Sequence, residues 1–266
     1  MRPSIVVAIA DLQCGHRVGL TPPEFQFKPE KRNPRHNKWF KIQRALWREY
    51  VKMIRRTPRP DVLFVNGDII DGRGEKSGGI EQITTDRNRQ AKMGAACINR
   101  WKAPVVALSY GTTYHVASSG EQFEDQVLDY IKAPKKRIGA HSWIGVNGCI
   151  FDVKHHCGTT NTPHTKATPL MKDQVWNVIW ASRKEQPLGN IVIRSHVHGF
   201  IDIKTADVEV CATPALQGMG SRFGAERCSR TVDFGIVWWE VYSKHLTKFH
   251  ADIVKIPEQK ARVWQV

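Results

Sequence analysis

The sequence predicts an α/β protein in which two β-sheets pack against each other with helices on the outside. Two observations predict this class: the first half alternates apolar, β-branched runs with helical periodicity, and the second half is mostly strand-like. A chain of 266 residues, with 41% hydrophobic and 24% charged residues, can bury a large core without disulfides. We expect one domain over residues 1–266.

Three short apolar runs define the strands of the first half. They cover, in chain order, residues 4–11, 61–70 and 104–110. The first run ends at Asp11, the second contains Asp68 in the stretch NGDIIDG, and the third stops before Gly111. Each strand therefore delivers a polar or turn-forming residue close to its carboxyl end.

A helix is predicted over residues 37–56, between the first two runs. Its apolar residues recur at three- and four-residue spacing: Trp39, Ile42, Leu46, Tyr50 and Met53. Its opposite face carries five basic residues: Lys41, Arg44, Arg48, Lys52 and Arg55. We expect the apolar face to pack on a sheet and the basic face to meet solvent.

The remaining elements follow from the same patterns. Helices are predicted over residues 83–100, 120–132 and 168–184. The segments 138–155 and 190–254 are mostly strand-like. The second half therefore supplies the second sheet, with one helix to cover it.

Composition restricts the location and the partners of the chain. The formal net charge of +15 and the pI near 9.7 favour polyanionic partners such as nucleic acid. No apolar run is long enough to span a membrane, and the amino terminus lacks the cleavage site of a signal peptide. The six cysteines form no C-x-x-C pair, which favours reduced thiols. We expect a cytoplasmic protein without membrane partners, and no oligomeric state is favoured.

Candidate metal ligands follow nearly every predicted strand. They are Asp11, Asp68, His115, the pair His155 and His156, and the pair His196 and His198. Loops at the carboxyl ends of strands can converge on one site. Mixed carboxylate and imidazole ligands suit Mn²⁺, Fe or Zn²⁺ better than Ca²⁺ or Mg²⁺. Because the candidates outnumber the ligands of one ion, we expect two divalent ions roughly 3.5–4 Å apart.

The order of these motifs resembles the calcineurin-like metallophosphoesterase superfamily. That family has Asp-x-His, Gly-Asp-x-x-Asp, Gly-Asn-His-Asp/Glu, a His near a strand end and Gly-His-x-His, in this order. The resemblance runs from Asp11 to Gly199, about three quarters of the chain, and its most specific pieces are GDIIDG and SHVHG. It implies a four-layer αββα sandwich of two mixed sheets flanked by helices, and hydrolysis of phosphoric esters.

The resemblance also implies a role for each matching residue. Asp11 and His198 would bind the first metal, and Asp68 would bridge both. His196 would bind the second metal, and either His155 or His156 would complete it. The ions, Mn²⁺ ahead of Fe, Zn²⁺ or Ni²⁺, would generate a hydroxide that attacks phosphorus.

This chain departs from the family motifs at three places. Gln13 stands where the family has a metal-binding His, and His16, three residues later, is the alternative ligand. Thr112 matches the metal-binding Asn, and His115, displaced by two residues, would be the catalytic His that protonates the leaving oxygen. Ser195 replaces a motif Gly, a change that we expect to be harmless.

A basic, aromatic loop before the first helix is the candidate substrate-binding segment. Lys31, Arg32 and Arg35 would meet phosphates, and Tyr114 would line the same pocket. The predicted function is hydrolysis of phosphodiesters, with nucleic acid or a nucleotide as substrate. Two alternatives stay open: a phosphomonoesterase, including a phosphoprotein phosphatase, and a nucleic-acid-binding protein with a degenerate metal site.

Overall fold

The first of two β-sheets contains the three strands predicted in the first half. In this computed structural model, the described residues are 2–31, 34–112, 123–160, 162–206, 208–221, 231–257 and 263–265. The strands of the first sheet are β1 (Ser4–Ile9), β2 (Val62–Asn66), β3 (Val105–Ser109), β4 (Lys135–Gly139), β10 (Phe234–Ser243) and β11 (Leu246–Val254). Their order is β11-β10-β1-β2-β3-β4, with β1 to β4 parallel.

The second sheet comes from the second half of the chain, but not all strands of that half join it: β10 and β11, which we expected in the second sheet, belong to the first, where β10 pairs with β1. Its strands are β5 (His141–Val146), β6 (Cys149–Lys154), β7 (Ile191–Arg194), β8 (Ile201–Lys204) and β9 (Glu209–Ala212). The order is β5-β6-β7-β9-β8, in which β6, β7 and β9 are parallel and the two edge strands are antiparallel. Both sheets are therefore mixed.

Four helices cover the outer faces of the sheets in the described part of the chain. They are α1 (Pro34–Arg56), α2 (Arg87–Asn99), α3 (Glu124–Tyr130) and α4 (Thr168–Ser182). The first three pack on the first sheet, and α4 packs on β7 and β9 of the second. The five basic residues predicted on the outer face of α1 are exposed.

Strand β1 shows how the layers are separated. Ile5, Val7 and Ile9 point into the core shared with α1 and α2, whereas Val6 and Ala8 point into the core between the sheets. A third cluster lies under α4. The order helix, sheet, sheet, helix confirms the predicted αββα sandwich.

Parallel pairing brings the ligand loops together. Because β1, β2 and β3 run the same way, the loops after them leave the same edge of the first sheet, and those after β6 and β7 leave one edge of the second. None of the helices in the described ranges has the length and apolar character that crossing a bilayer requires.

Candidate metal centre

The predicted ligands share an unusual backbone conformation. Only eight described residues other than glycine have positive φ, and five are among these ligands: Asp11 (51°), Gln13 (43°), Asp68 (49°), His196 (72°) and His198 (55°). Positive φ is unfavourable for residues with a Cβ atom and is concentrated at functional sites. The strands therefore end before their ligands, and the chain turns sharply to present them.

One half of the centre consists of Asp68, His155 and His196. One ligand atom from each lies within 4.8 Å of the other two. Oδ2 of Asp68 is 3.1 Å from Nε2 of His155 and 3.9 Å from Nδ1 of His196. Asp68 and His155 are buried, whereas the His196 side chain is 30% exposed. The cluster therefore has a buried floor and one ligand at its opening.

The other half consists of Asp11, His198 and Gln13. Oδ1 of Asp11 is 3.1 Å from Nε2 of His198, and Nε2 of Gln13 is 3.3 Å from the same nitrogen. The oxygen and nitrogen of an amide exchange places by a half-turn, so the Gln13 oxygen can occupy this position. The backbone N–H of His196 donates to Oδ2 of Asp11 at 3.3 Å, which connects the two halves.

Two motif glycines permit the close approach of these loops. A Cβ atom on Gly67 would lie 2.5 Å from Cγ and Nδ1 of His155, and φ at this residue is +76°. A Cβ atom on Gly111 would lie 2.2 Å from Oδ1 of Asp68. Any side chain at either position would displace a predicted ligand.

A buried polar network orients His155. Nδ1 of His155 donates to the backbone carbonyl of Asn66 at 2.5 Å, so Nε2 is the ring nitrogen that faces Asp68. The Asn66 amide donates to the Ser195 hydroxyl at 2.7 Å, and this hydroxyl bonds to Thr213 at 2.7 Å. Ser195, which we expected to be a harmless replacement of Gly, thus joins the two sheets beside the centre.

The neighbouring histidines His155 and His156 occupy different environments. Burial alone would lower the pKa of His155, but the carboxylates of Asp68 and Asp11 and the bond to Asn66 raise it to about 10. His156 is exposed at the surface, and its ring stacks on His196 with the ring centroids 5.1 Å apart. Partial desolvation of the ring, together with the charges of His196 and His155, lowers the pKa of His156. The structure places His155, and not His156, against Asp68.

Thr112 contacts the Asp68 carboxylate from the side of β3, and Glu124 contacts the two loops beside it. Thr112 donates to Oδ1 of Asp68 from its backbone N–H at 2.7 Å, and its hydroxyl lies 3.1 and 3.3 Å from the two carboxylate oxygens. The fully buried Glu124 accepts from the N–H groups of Ile69 and Gly111. Burial and the charge of Asp68 raise the pKa of Glu124 to about 7.

Sequence reasoning did not identify Glu124, although a signal was present. Val127 and Ile131 lie on the apolar face of the helix predicted there, and Glu124 lies three residues before the first and seven before the second. That spacing puts a carboxylate on the buried face of the helix. A buried carboxylate needs partners, and it found them in two ligand loops.

His16, the alternative to Gln13, lies in a separate network. Its Nδ1 accepts from the backbone N–H of Val18 at 3.1 Å, and its Nε2 is 3.9 Å from Glu81, which also pairs with Arg17. The structure therefore brings Gln13, and not His16, to His198.

Of the residues predicted to bind substrate or to donate the proton, two lie near the start of α1 and three lie outside the described residues. Lys31 is exposed just before α1, and Arg35 lies in the first turn of that helix. Arg32, Tyr114 and His115 lie outside the described residues.

The donor set fits divalent metal ions. Oδ1 of Asp11, Nε2 of His155 and Nδ1 of His196 are buried atoms that form no hydrogen bond of good geometry among the described residues, although each lies within 3.1–3.9 Å of another predicted ligand. Buried donors and acceptors are seldom left unsatisfied, and all three atoms belong to predicted metal ligands. Two buried carboxylates with three imidazoles match the borderline preference of Mn²⁺, Fe or Zn²⁺.

Comparisons with known proteins find only distant structural likenesses. No protein-family model and no curated protein matches the chain. One similar solved structure is zinc-bound wild-type Vps29 from Entamoeba histolytica, with 10% identity over 94% of this chain and 98% of that one and a TM-score of 0.42. A second is a novel archaeal phosphodiesterase, with 10% identity over 94% of this chain and 99% of that one and a TM-score of 0.46. A third is the phosphoesterase Yfce from E. coli, with 8% identity over 95% of this chain and 99% of that one and a TM-score of 0.42. At these low identities and TM-scores, the likenesses carry no inference about activity.

Proposed function

We propose that the protein is a metal-dependent phosphoesterase that hydrolyses phosphodiesters, with nucleic acid or a nucleotide as its substrate. One observation carries the proposal: two buried carboxylates, Asp11 and Asp68, meet His155, His196 and His198 where the ligand loops of the two sheets converge. The net charge of +15 favours a polyanionic substrate.

Each proposed ligand has a role that its position supports. One ion would be held by Asp11, His198 and Gln13, and the other by His155 and His196. Asp68 would bind both ions. Such ions, when bound, neutralise phosphate oxygens and supply a hydroxide nucleophile near neutral pH. Mn²⁺ is the first candidate because a neutral amide at Gln13 favours a harder ion.

The protein itself supplies orientation and a proton. Thr112 fixes the rotamer of Asp68 through its N–H and hydroxyl, and Asn66 fixes the tautomer of His155. His196 and His198, at 30% and 19% side-chain exposure, border the opening through which a phosphate would enter. We assign protonation of the leaving oxygen to His115.

The test is hydrolysis of bis-p-nitrophenyl phosphate and p-nitrophenyl phosphate in Mn²⁺, with His196→Ala as the blank. Faster release from the diester, lost in the variant, is the expected result. Preference for the monoester would replace the proposal with a phosphomonoesterase. Release from neither ester by metal-loaded protein would refute catalysis.

A second candidate is a nucleic-acid-binding protein with a degenerate metal site. The observation in its favour is that Thr112, in place of the family's ligand Asn, donates its hydroxyl to Asp68. Mass spectrometry of metal-free protein reloaded with Mn²⁺ separates the two. Fewer than one ion per chain would favour the degenerate site, and two ions would favour the enzyme.

A further inference from the structure

We propose that Glu124 is a positioning residue of the metal centre, whose carboxylate fixes the backbone of the two loops that carry Asp68 and Thr112. Its catalytic consequence rests on the proposed function, whereas its effect on metal binding does not. Glu124 is the first residue of α3 and contacts neither half of the centre through a ligand atom of its own.

The two oxygens of Glu124 serve two different loops. Oε1 accepts from the N–H of Ile69, the residue after Asp68, at 2.7 Å. Oε2 accepts from the N–H of Gly111, the residue before Thr112, at 2.6 Å. One carboxylate thus ties together loops that leave neighbouring strands of the first sheet.

These bonds act where the loops are conformationally unfavourable. Asp68 has φ of 49°, a conformation that the bond to the next N–H helps to hold. The bond at Gly111 keeps that loop so close that a Cβ atom there would overlap Asp68. The result is the pair of bonds by which Thr112 orients Asp68. The two N–H donors that face the two oxygens favour the ionised form of Glu124, whose charge-assisted hydrogen bonds are short and strong.

Glutamine is the informative replacement because it preserves shape but has one acceptor oxygen. Glu124→Gln can satisfy either Ile69 or Gly111, and its NH₂ group would face the other N–H. The matched control is Asp125→Asn, on the same helix. Asp125 is exposed and accepts from the side-chain hydroxyl of Tyr110 at 2.7 Å.

The experiment combines calorimetric titration of metal-free protein with Mn²⁺ and amide hydrogen exchange. We expect Mn²⁺ affinity to fall by about 10- to 100-fold in Glu124→Gln, the range for residues that orient metal ligands. Exchange at Ile69 and Gly111 should accelerate in this variant. Asp125→Asn should change neither quantity. With bis-p-nitrophenyl phosphate, kcat should fall while KM stays within about twofold.

Several results would overturn the proposal. Wild-type Mn²⁺ affinity in a folded Glu124→Gln variant, or unchanged exchange at both amides, would show that the carboxylate does not position the centre. If the variant does not fold, exchange in metal-free wild type decides: rapid exchange at Ile69 and Gly111 would contradict the two bonds, and protection would support them. A wild type that binds Mn²⁺ without turnover would refute the proposed function alone, since the Mn²⁺ titration still tests Glu124.

Discussion

Alanine at Gly67 tests whether the close approach of the β2 loop to His155 creates the metal centre. The added Cβ atom would lie 2.5 Å from Cγ and Nδ1 of His155, closer than real Cβ contacts, so the imidazole must move. Its Nδ1 bond to the carbonyl of Asn66 and its approach to Asp68 would then be lost. Both the stability of the protein and its metal affinity should fall.

The size of the stability loss follows from three contributions. Alanine at φ of +76° costs about 1–2 kcal/mol, and a buried carbonyl without its donor costs about 1–3 kcal/mol. The lower entropy of the unfolded chain offsets about 0.4–1 kcal/mol. We expect a net loss of about 1–5 kcal/mol, centred near 3 kcal/mol, in the free energy of unfolding of metal-free Gly67→Ala.

Urea unfolding and Mn²⁺ titration of the same samples would check this expectation. The control is Gly145→Ala in β5, where an added Cβ atom has no neighbour within 4 Å. Its free energy of unfolding should stay within about 0.5 kcal/mol of the wild type. If Gly67→Ala matched this control in stability and bound Mn²⁺ like the wild type, the steric reasoning would be wrong.

Three further predictions concern the centre and the second sheet. Asp68→Asn should leave the protein folded but lower its turnover by more than about 100-fold, the largest loss expected when a residue that only orients a metal ligand is replaced. Retained activity would exclude the two-metal proposal. Calorimetry should show Mn²⁺ affinity at least about tenfold lower in His155→Ala and nearly unchanged in His156→Ala, and the reverse order would make His156 the ligand. Asp152 is buried, which raises the pKa of its carboxyl, but its bonds to His141 and Arg194 outweigh burial and lower that pKa below its ordinary value. The stability from this carboxylate is therefore present above about pH 4 and lost as pH falls further. The stability difference between wild type and Asp152→Asn should shrink below about pH 4 in urea unfolding, and a difference independent of pH would contradict the assignment.

Most strands and the convergence of the candidate ligands were predictable because strand ends carry a local signal, whereas the pairing of β10 with β1, which places β10 and β11 in the first sheet, was not. Apolar runs that carry Asp11, Asp68 or the SHVHG motif at or near their carboxyl ends identify the strands and the candidate ligands together. The strand boundaries were less accurate: β2 ends at Asn66, and the next residues turn into the left-handed region. Hydropathy continues through Ile69 and Ile70, so the pattern hides the turn.

Contacts between distant segments could not be predicted in the same way. Glu124 meets Ile69 across 55 residues, and nothing local to either indicates the pairing. His16 and Gln13 were both plausible ligands by chemistry. The backbone N–H of Val18 donates to Nδ1 of His16, and this bond distinguishes His16 from Gln13. The bond becomes apparent only once the conformation of the turn after Gln13 is known.

The candidate metal centre draws its proposed ligands from both sheets, and this would have a kinetic consequence. Asp11 and Asp68 leave the first sheet, whereas His155 and His196 leave the second. Neither half of the chain alone contains a complete site, so an ion can be held only after the sheets have docked. A ligand that binds only after the rate-limiting step of folding changes the rate of unfolding and not the rate of folding. Bound metal would therefore slow unfolding while leaving the rate at which each sheet forms unchanged, and the lifetime of the native state would depend on the supply of ions.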